Sequence, residues 1–325
     1  MQLDFETIKS ITKGAVRFRQ SERGITFDRC TEGETAAWRA TRDVLGDRAG
    51  TTCGVRLDFH TDAKSVSFSL ASGNKVDVWI NGILRHTISF DGLRQTDDPT
   101  AKVPLTDPLG EPLAESRVTL WMPSHSCATL SFLKLNGATY VRPHVFKHKL
   151  LFLGDSIVQG WNSKHDSMSY ALRLAAFFDA DCINAAVGGG CFYPETVEPN
   201  GYDPEAVLVA FGTNDFVFWQ SEREFHAHCA AYFDRVKALY PGKPTLVVTP
   251  TYRVEHAPGR TGTFAGCCRM IAEEAKKRGF SVADGFTLLP PLDDYYAGDG
   301  LHPCELGFLE MAINLIPHVQ RAFGW

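Results

Sequence analysis

Four short clusters in this chain carry the residue types that acyl transfer to a hydroxyl requires. Gly154-Asp155-Ser156 presents a serine behind a glycine, and Gly188-Gly189-Gly190 is bare backbone. Gly212-Thr213-Asn214-Asp215 offers a side-chain amide, and Asp299-Gly300-Leu301-His302 sets a carboxylate three residues before an imidazole. A serine hydroxyl is a poor nucleophile until a base takes its proton, and His302 is the natural base. Asp299 can bond the second imidazole nitrogen and so fix the tautomer. Pro303 disfavours helical geometry at His302, which sets the imidazole at the entrance of the last helix. The tetrahedral oxyanion needs donors where its charge develops; the Ser156 N–H, an N–H of the glycine run and the Asn214 amide can supply three. Taken singly, each cluster is ordinary: a Gly-Asp-Ser or Asp-Gly-x-His turn, an asparagine cap, aspartates (Asp155, Asp215) bonding loop backbone. The combination, in this order, reverses those odds.

Residues of this kind need a frame that brings distant loops together. From about residue 147, continuous apolar runs at Leu150–Leu153, Cys182–Val187, Ala206–Phe211 and Thr245–Thr249 read as parallel strands buried on both faces. Helical patterns separate them. Ser221 and Glu224 form a capping box before Phe225, Cys229, Tyr232, Val236 and Leu239, which recur at helical spacing. Pro303 fits the first position of a final helix carrying Leu306, Leu309, Ile313, Ile316 and Phe323 on one side. Strand–helix alternation predicts a doubly wound α/β sheet, where ligands sit beyond the carboxyl ends of the strands. The first three clusters fall at such ends, and the fourth immediately precedes the last helix.

Residues 1 to 143 read differently. Val55–Phe59 and Val66–Leu70 alternate apolar and polar, and Lys75–Ile80 runs into Asn81-Gly82, a two-residue hairpin signal. Leu84–Phe90 is the expected return strand, and Arg117–Met122 and Ala128–Leu135 look similar. Short alternating strands at this spacing predict an all-β sandwich of jelly-roll type. The expected division is thus a β-sandwich accessory domain over 1–143 and a catalytic domain over 144–325, as suits a length of 325 residues.

Composition narrows the function. The formal charge of -5 recruits neither a nucleic-acid backbone nor an anionic membrane. No signal-peptide core or membrane-length apolar run is present, and nine cysteines without a CxxC pair fit reduced thiols, so a cytoplasmic protein is expected. The glycine run lacks the GxGxxG pattern and no P-loop lysine follows. His226 and His228, two apart on a helix, point to different sides, so no metal and no cofactor are expected.

The four clusters match the four sequence blocks of the SGNH hydrolases, the GDSL esterase superfamily, which this chain resembles over residues 150 to 305. Gly154-Asp155-Ser156 corresponds to the nucleophile block, Asn184 to Gly189 to the oxyanion glycine block, Gly212 to Asp215 to the asparagine block and Asp299 to His302 to the D-x-x-H block. The resemblance implies catalytic Ser156, His302 and Asp299, with an oxyanion hole of Ser156, Gly189 and Asn214; counting from Asn184 favours Gly189 among the three glycines. The domain order resembles carbohydrate esterase family two, whose members often lack the acid that Asp299 provides here. That implies a flavodoxin-like SGNH domain removing O-acetyl groups from sugars or oligosaccharides through an acyl-serine. The alternatives are an SGNH lipase, lysophospholipase or thioesterase for longer chains, and a non-catalytic carbohydrate-binding protein. Trp161, Phe192 and Trp219, close behind the first three blocks, are the expected walls of an acyl or sugar pocket.

Overall fold

The computed structural model describes residues 1–96 and 98–325. They divide into two compact units. The first comprises Met1–Cys30, Gly50–Phe146 and His165–Ser167; the second comprises Thr31–Ala49, Lys147–Lys164 and Met168–Trp325.

The first unit is built from two antiparallel sheets. One runs in the order Arg17–Ser21, Gly24–Asp28, Thr129–Asn136, Ser65–Ser72, Ala101–Pro104. The other runs Thr12–Lys13, Arg56–Thr61, Ser116–Trp121, Lys75–Ile80, Ile83–Ser89, with Val141–Pro143 also paired to Arg56–Thr61. Phe27, Phe68 and Leu133 of the first sheet share one apolar cluster with Phe59, Val78 and Leu120 of the second, the inner faces of a sandwich. Asn81 and Gly82 both take positive φ, +52° and +80°, and Ile80 pairs with Ile83 across them. That is the primed turn the dipeptide predicts, its twist matched to the strands it joins.

The second unit holds a parallel sheet of β1 (His148–Gly154), β2 (Ala180–Asn184), β3 (Ala206–Ala210), β4 (Thr245–Val248) and β5 (Ser281–Ala283), in the order β2-β1-β3-β4-β5. This is the flavodoxin-like order, and its reversal beside β1 opens a crevice at the carboxyl ends. The first four strands coincide with the four apolar runs. β5 is only three residues long, too short for an apolar run to announce it.

Two expectations need correction. Residues 1–143 are not β throughout: Glu32–Thr41 and Asp43–Ala49 are helices, and they pack with the second unit. A capping box starts the first of them. The Thr31 side chain accepts from the Glu34 N–H while the Glu34 carboxylate accepts from the Thr31 N–H. Trp38 and Leu45 are then buried, with the Trp38 ring edge-on to Tyr193 at 5.9 Å.

The last helix also differs. It begins at Glu305, after a Cys304 cap, and Pro303 bridges to Tyr296 outside it. Its buried face is Phe308, Met311, Ala312, Leu315 and Val319, whereas Leu306, Leu309 and Ile313 are exposed. The helix carries two apolar stripes of equal period, and periodicity alone cannot say which one the sheet covers. At Glu222–Leu239 the expected cap forms, with the Ser221 hydroxyl accepting from the Glu224 N–H at 3.1 Å; the Glu224 carboxylate takes the Gln220 N–H instead of closing the box. Among the described residues no helix is long and apolar enough to cross a membrane.

Candidate active site

Ser156 follows directly from the central strand. A Cβ at Gly154 would collide with Val158 and the Ala210 carbonyl, so only glycine lets β1 end against β3 and turn. Asp155 caps the short helix Ser156–Gln159 through its carboxylate, which accepts from the Ile157 N–H at 3.0 Å. Ser156 thereby stands at that helix's first position, with its hydroxyl at the carboxyl edge of the sheet.

The D-x-x-H loop brings His302 against Ser156. Ser156 Oγ lies 2.7 Å from His302 Nε2, and His302 Nδ1 lies 2.7 Å from Asp299 Oδ2. Asp299 Oδ1 accepts from the Leu301 and His302 N–H groups, both at 3.0 Å, which folds the loop around its own carboxylate. Partial burial works to raise the Asp299 carboxyl. The bonds from the His302 imidazole and from the two N–H groups outweigh it and hold the group below the ordinary carboxylate value. An ionised Asp299 keeps the imidazole in the tautomer whose Nε2 can accept the serine proton.

The next two loops carry the glycine run and Asn214. The Gly188 N–H is taken by Gln159 Oε1 at 2.7 Å and the Gly190 N–H by the Val187 carbonyl at 2.9 Å. Gly189, at φ +81°, is thus the member of the run whose N–H is not so committed among the described residues. The Asn214 amide donates one hydrogen to the Gly190 carbonyl at 3.1 Å, which orients the second.

Beneath this surface lie two carboxyl groups of another kind. Asp155 and Asp215 are fully buried, and burial pushes each up to about 7. Asp215 Oδ1 accepts from the Phe192 N–H at 2.9 Å and from Trp219 Nε1 at 2.8 Å. It ties the loop after β2 to the loop after β3.

That arrangement corrects two of the three expected pocket walls. Phe192 has no exposed surface; its ring packs among Phe211, Phe225, Tyr232 and Phe233. Trp219 is 5% exposed, bonded to Asp215 and stacked 4.0 Å from the His228 ring. Both are core residues, because the loops that present Gly189 and Asn214 turn their next aromatics inward as anchors. Trp161 alone remains at the site, half-buried, with its ring 6.4 Å from that of His302. A cleft of about 420 Å³ lined by Tyr252, Leu292, Asp293 and Tyr296 opens beside Asp299.

Three contributors carry no signal in the four blocks. Asn162, left-handed at φ +69°, donates to Asp299 Oδ2 at 3.0 Å. Arg48 Nη1 donates to the Gly188 carbonyl at 2.7 Å and Arg42 Nη2 to the Gly189 carbonyl at 2.8 Å. The Thr31-x-x-Glu34 signature could have revealed the helices that carry the arginines; no local signal announces what they reach.

Residues 152–308 match the GDSL-like Lipase/Acylhydrolase family. No curated protein matches the chain. Among solved structures, the salicylyl-acyltransferase SsfX3 from a tetracycline biosynthetic pathway is 19% identical with a TM-score of 0.77, over 96% of this chain and 93% of that one. A GDSL-like lipase from Bacteroides ovatus is 18% identical with a TM-score of 0.73, over 98% and 97%. A family two carbohydrate esterase from Cellvibrio japonicus is 17% identical with a TM-score of 0.68, over 97% and 96%. The segment 152–308 is a GDSL-like acylhydrolase domain, and the chain is a serine hydrolase of the SGNH type.

Proposed function

We propose that the chain is a serine esterase that hydrolyses short acyl esters, acetyl above all, carried on sugars or oligosaccharides. The observation that carries this reading is the Ser156–His302–Asp299 chain of two 2.7 Å contacts. In it Ser156 Oγ attacks the ester carbonyl while His302 Nε2 takes its proton. The oxyanion accepts from the Ser156 and Gly189 N–H groups and the Asn214 amide. The C–O bond of the tetrahedral intermediate then breaks, and His302 gives its proton to the departing alcohol. Water, deprotonated by the same imidazole, adds to the acyl-serine and releases the acid. The Ser–His–Asp chemistry draws on no metal or cofactor. The β-sandwich is assigned an accessory role, and the second unit the chemistry.

The carbohydrate assignment is supported by the structural relatives, among them a family two carbohydrate esterase from Clostridium thermocellum solved with cellohexaose and an acetyl xylan esterase from Butyrivibrio proteoclasticus. Trp161, with its ring 6.4 Å from that of His302, is assigned as the wall that meets the sugar ring and limits acyl length. The test is the specificity constant across acetate, butyrate and octanoate esters. A fall along the series is expected. A rise of the kind that about 0.8 kcal/mol per buried methylene would produce would make the enzyme a lipase or thioesterase. Release of acetate from a panel of acetylated oligosaccharides then identifies the alcohol half.

A further inference from the structure

We infer that Arg48 is a positioning residue of the oxyanion hole, fixing and polarising through the Gly188 carbonyl the peptide group whose N–H belongs to Gly189. The inference rests on the reading of Gly189 as an oxyanion donor. The Gly188 C=O and the Gly189 N–H are two ends of one planar amide. A cation donating to the oxygen end draws electron density from the nitrogen end, so the N–H becomes a stronger donor to an anion, as in any cooperative hydrogen-bond chain. The Arg48 contact, at 2.7 Å, is a short charge-assisted bond.

The surroundings hold that guanidinium in place. It lies 4.9 Å from the centroid of the Trp161 ring, and Trp161 is the residue beside His302. A Cβ at Gly189 would come within 2.8 Å of Arg48 Nη1, so glycine there leaves room for the arginine as well as allowing a left-handed φ. Arg42 grips the next carbonyl, that of Gly189, with its own guanidinium 5.6 Å from the Phe218 centroid. Gln159 Oε1 holds the Gly188 N–H from the nucleophile side. The loop is clamped at three points, and the Gly189 N–H is left for substrate. The helical segment 31–49, remote in sequence, falls in the same unit as the glycine run and supplies two of those points.

Arg48→Gln and Arg48→Lys, assayed on a short acetyl ester beside Ser156→Ala and Asn214→Ala, test this. Arg48→Gln is expected to lower kcat by about tenfold, less than the roughly hundred- to thousandfold of deleting a donor outright, with KM little changed. Arg48→Lys, which can still donate to the carbonyl, recovers part of the loss. Affinity for a trifluoromethyl ketone, whose hemiketal oxyanion occupies the same hole, falls by the same factor as kcat. A merely structural role would not produce that parallel. Unchanged kcat and ketone affinity in Arg48→Gln, or an effect on KM alone, would overturn the inference. Should Arg48→Gln fail to fold, Arg48→Lys decides through the ketone: weaker binding is expected, and wild-type binding overturns it. An active Ser156→Ala would sink the reading of the site itself, whereas an inactive one confines any failure to the role of Arg48.

Discussion

Asp299 sits on a loop at the mouth of the crevice, accepting from His302 Nδ1, two backbone N–H groups and Asn162, and its carboxyl is held below the ordinary value. Asp155 and Asp215 lie under the same crevice with no exposure to speak of, and burial pushes both up to about 7. One residue type thus serves two ends within one α/β unit. Where donors converge and water is near, the carboxylate stays ionised and fixes the imidazole it accepts from. Where water is excluded, the group tends to keep its proton, and its Oδ1 accepts from nearby loop N–H groups: Ile157 for Asp155, Phe192 and the Trp219 indole for Asp215. In the proposed mechanism, proximity to Ser156 does not decide which carboxyl acts: Asp155 adjoins Ser156 in sequence, and Asp299 reaches it only through His302.

The sharpest way to break this contrast is to neutralise each carboxyl in turn. Asp299→Asn is expected to lower kcat/KM by about a thousandfold or more, approaching the roughly 10⁴ that loss of the tautomer-setting acid costs other triads, with little change in melting temperature. Asp215→Asn should do the reverse, shifting the melting temperature while leaving most of the turnover. Steady-state kinetics with thermal melts on both variants checks the pair, and a swapped pattern would exchange their roles.

The next largest effect separates the core aromatics from the pocket. Phe192→Ala should destabilise the fold by about 3–5 kcal/mol, the usual cost of emptying a buried phenylalanine site, without altering the order of preference among acyl chain lengths. Urea unfolding gives the first quantity and the ester series the second. A mild loss of stability together with a new preference for long chains would return Phe192 to the pocket.

The last effect is a slope with pH. The folded chain keeps protons on Asp155 and Asp215 up to about 7, whereas an unfolded aspartate releases its proton near 3.8. Between those values the native state binds more protons than the unfolded state, so these two groups make stability fall as pH rises and level off above the upper value. The slope is at most about 1.4 kcal/mol per pH unit for each group. Urea midpoints measured from pH 4 to pH 8 should show the fall, and Asp215→Asn should make it shallower. An unchanged slope in that variant would mean that Asp215 is already ionised in the native state.

Much of the proposed site was legible in the sequence because its residues lie close together within short blocks. Asp299 and His302 are three residues apart, Ser156 follows a glycine that the strand crossing demands, and apolar runs mark the strands that deliver each block. What was hidden depends on tertiary placement. Arg48 lies 140 residues before the carbonyl it holds, and nothing near either position encodes the meeting. Phe192 and Trp219 adjoin the right blocks, yet the chain direction after each turn, which composition does not record, points them into the core. The last helix presents two equivalent apolar stripes, and only the packed sheet selects between them.

Ser156 as the nucleophile activated by His302 is tested most directly by covalent labelling. The protein is treated with a serine-directed organophosphate and the modified residue located by peptide mass spectrometry, in the wild type and in His302→Ala. One phosphonyl group on Ser156, appearing in step with loss of esterase activity and lost or greatly slowed in His302→Ala, is the expected result. Complete inactivation with Ser156 unmodified, or labelling of Ser156 that proceeds equally fast without the imidazole, would contradict it.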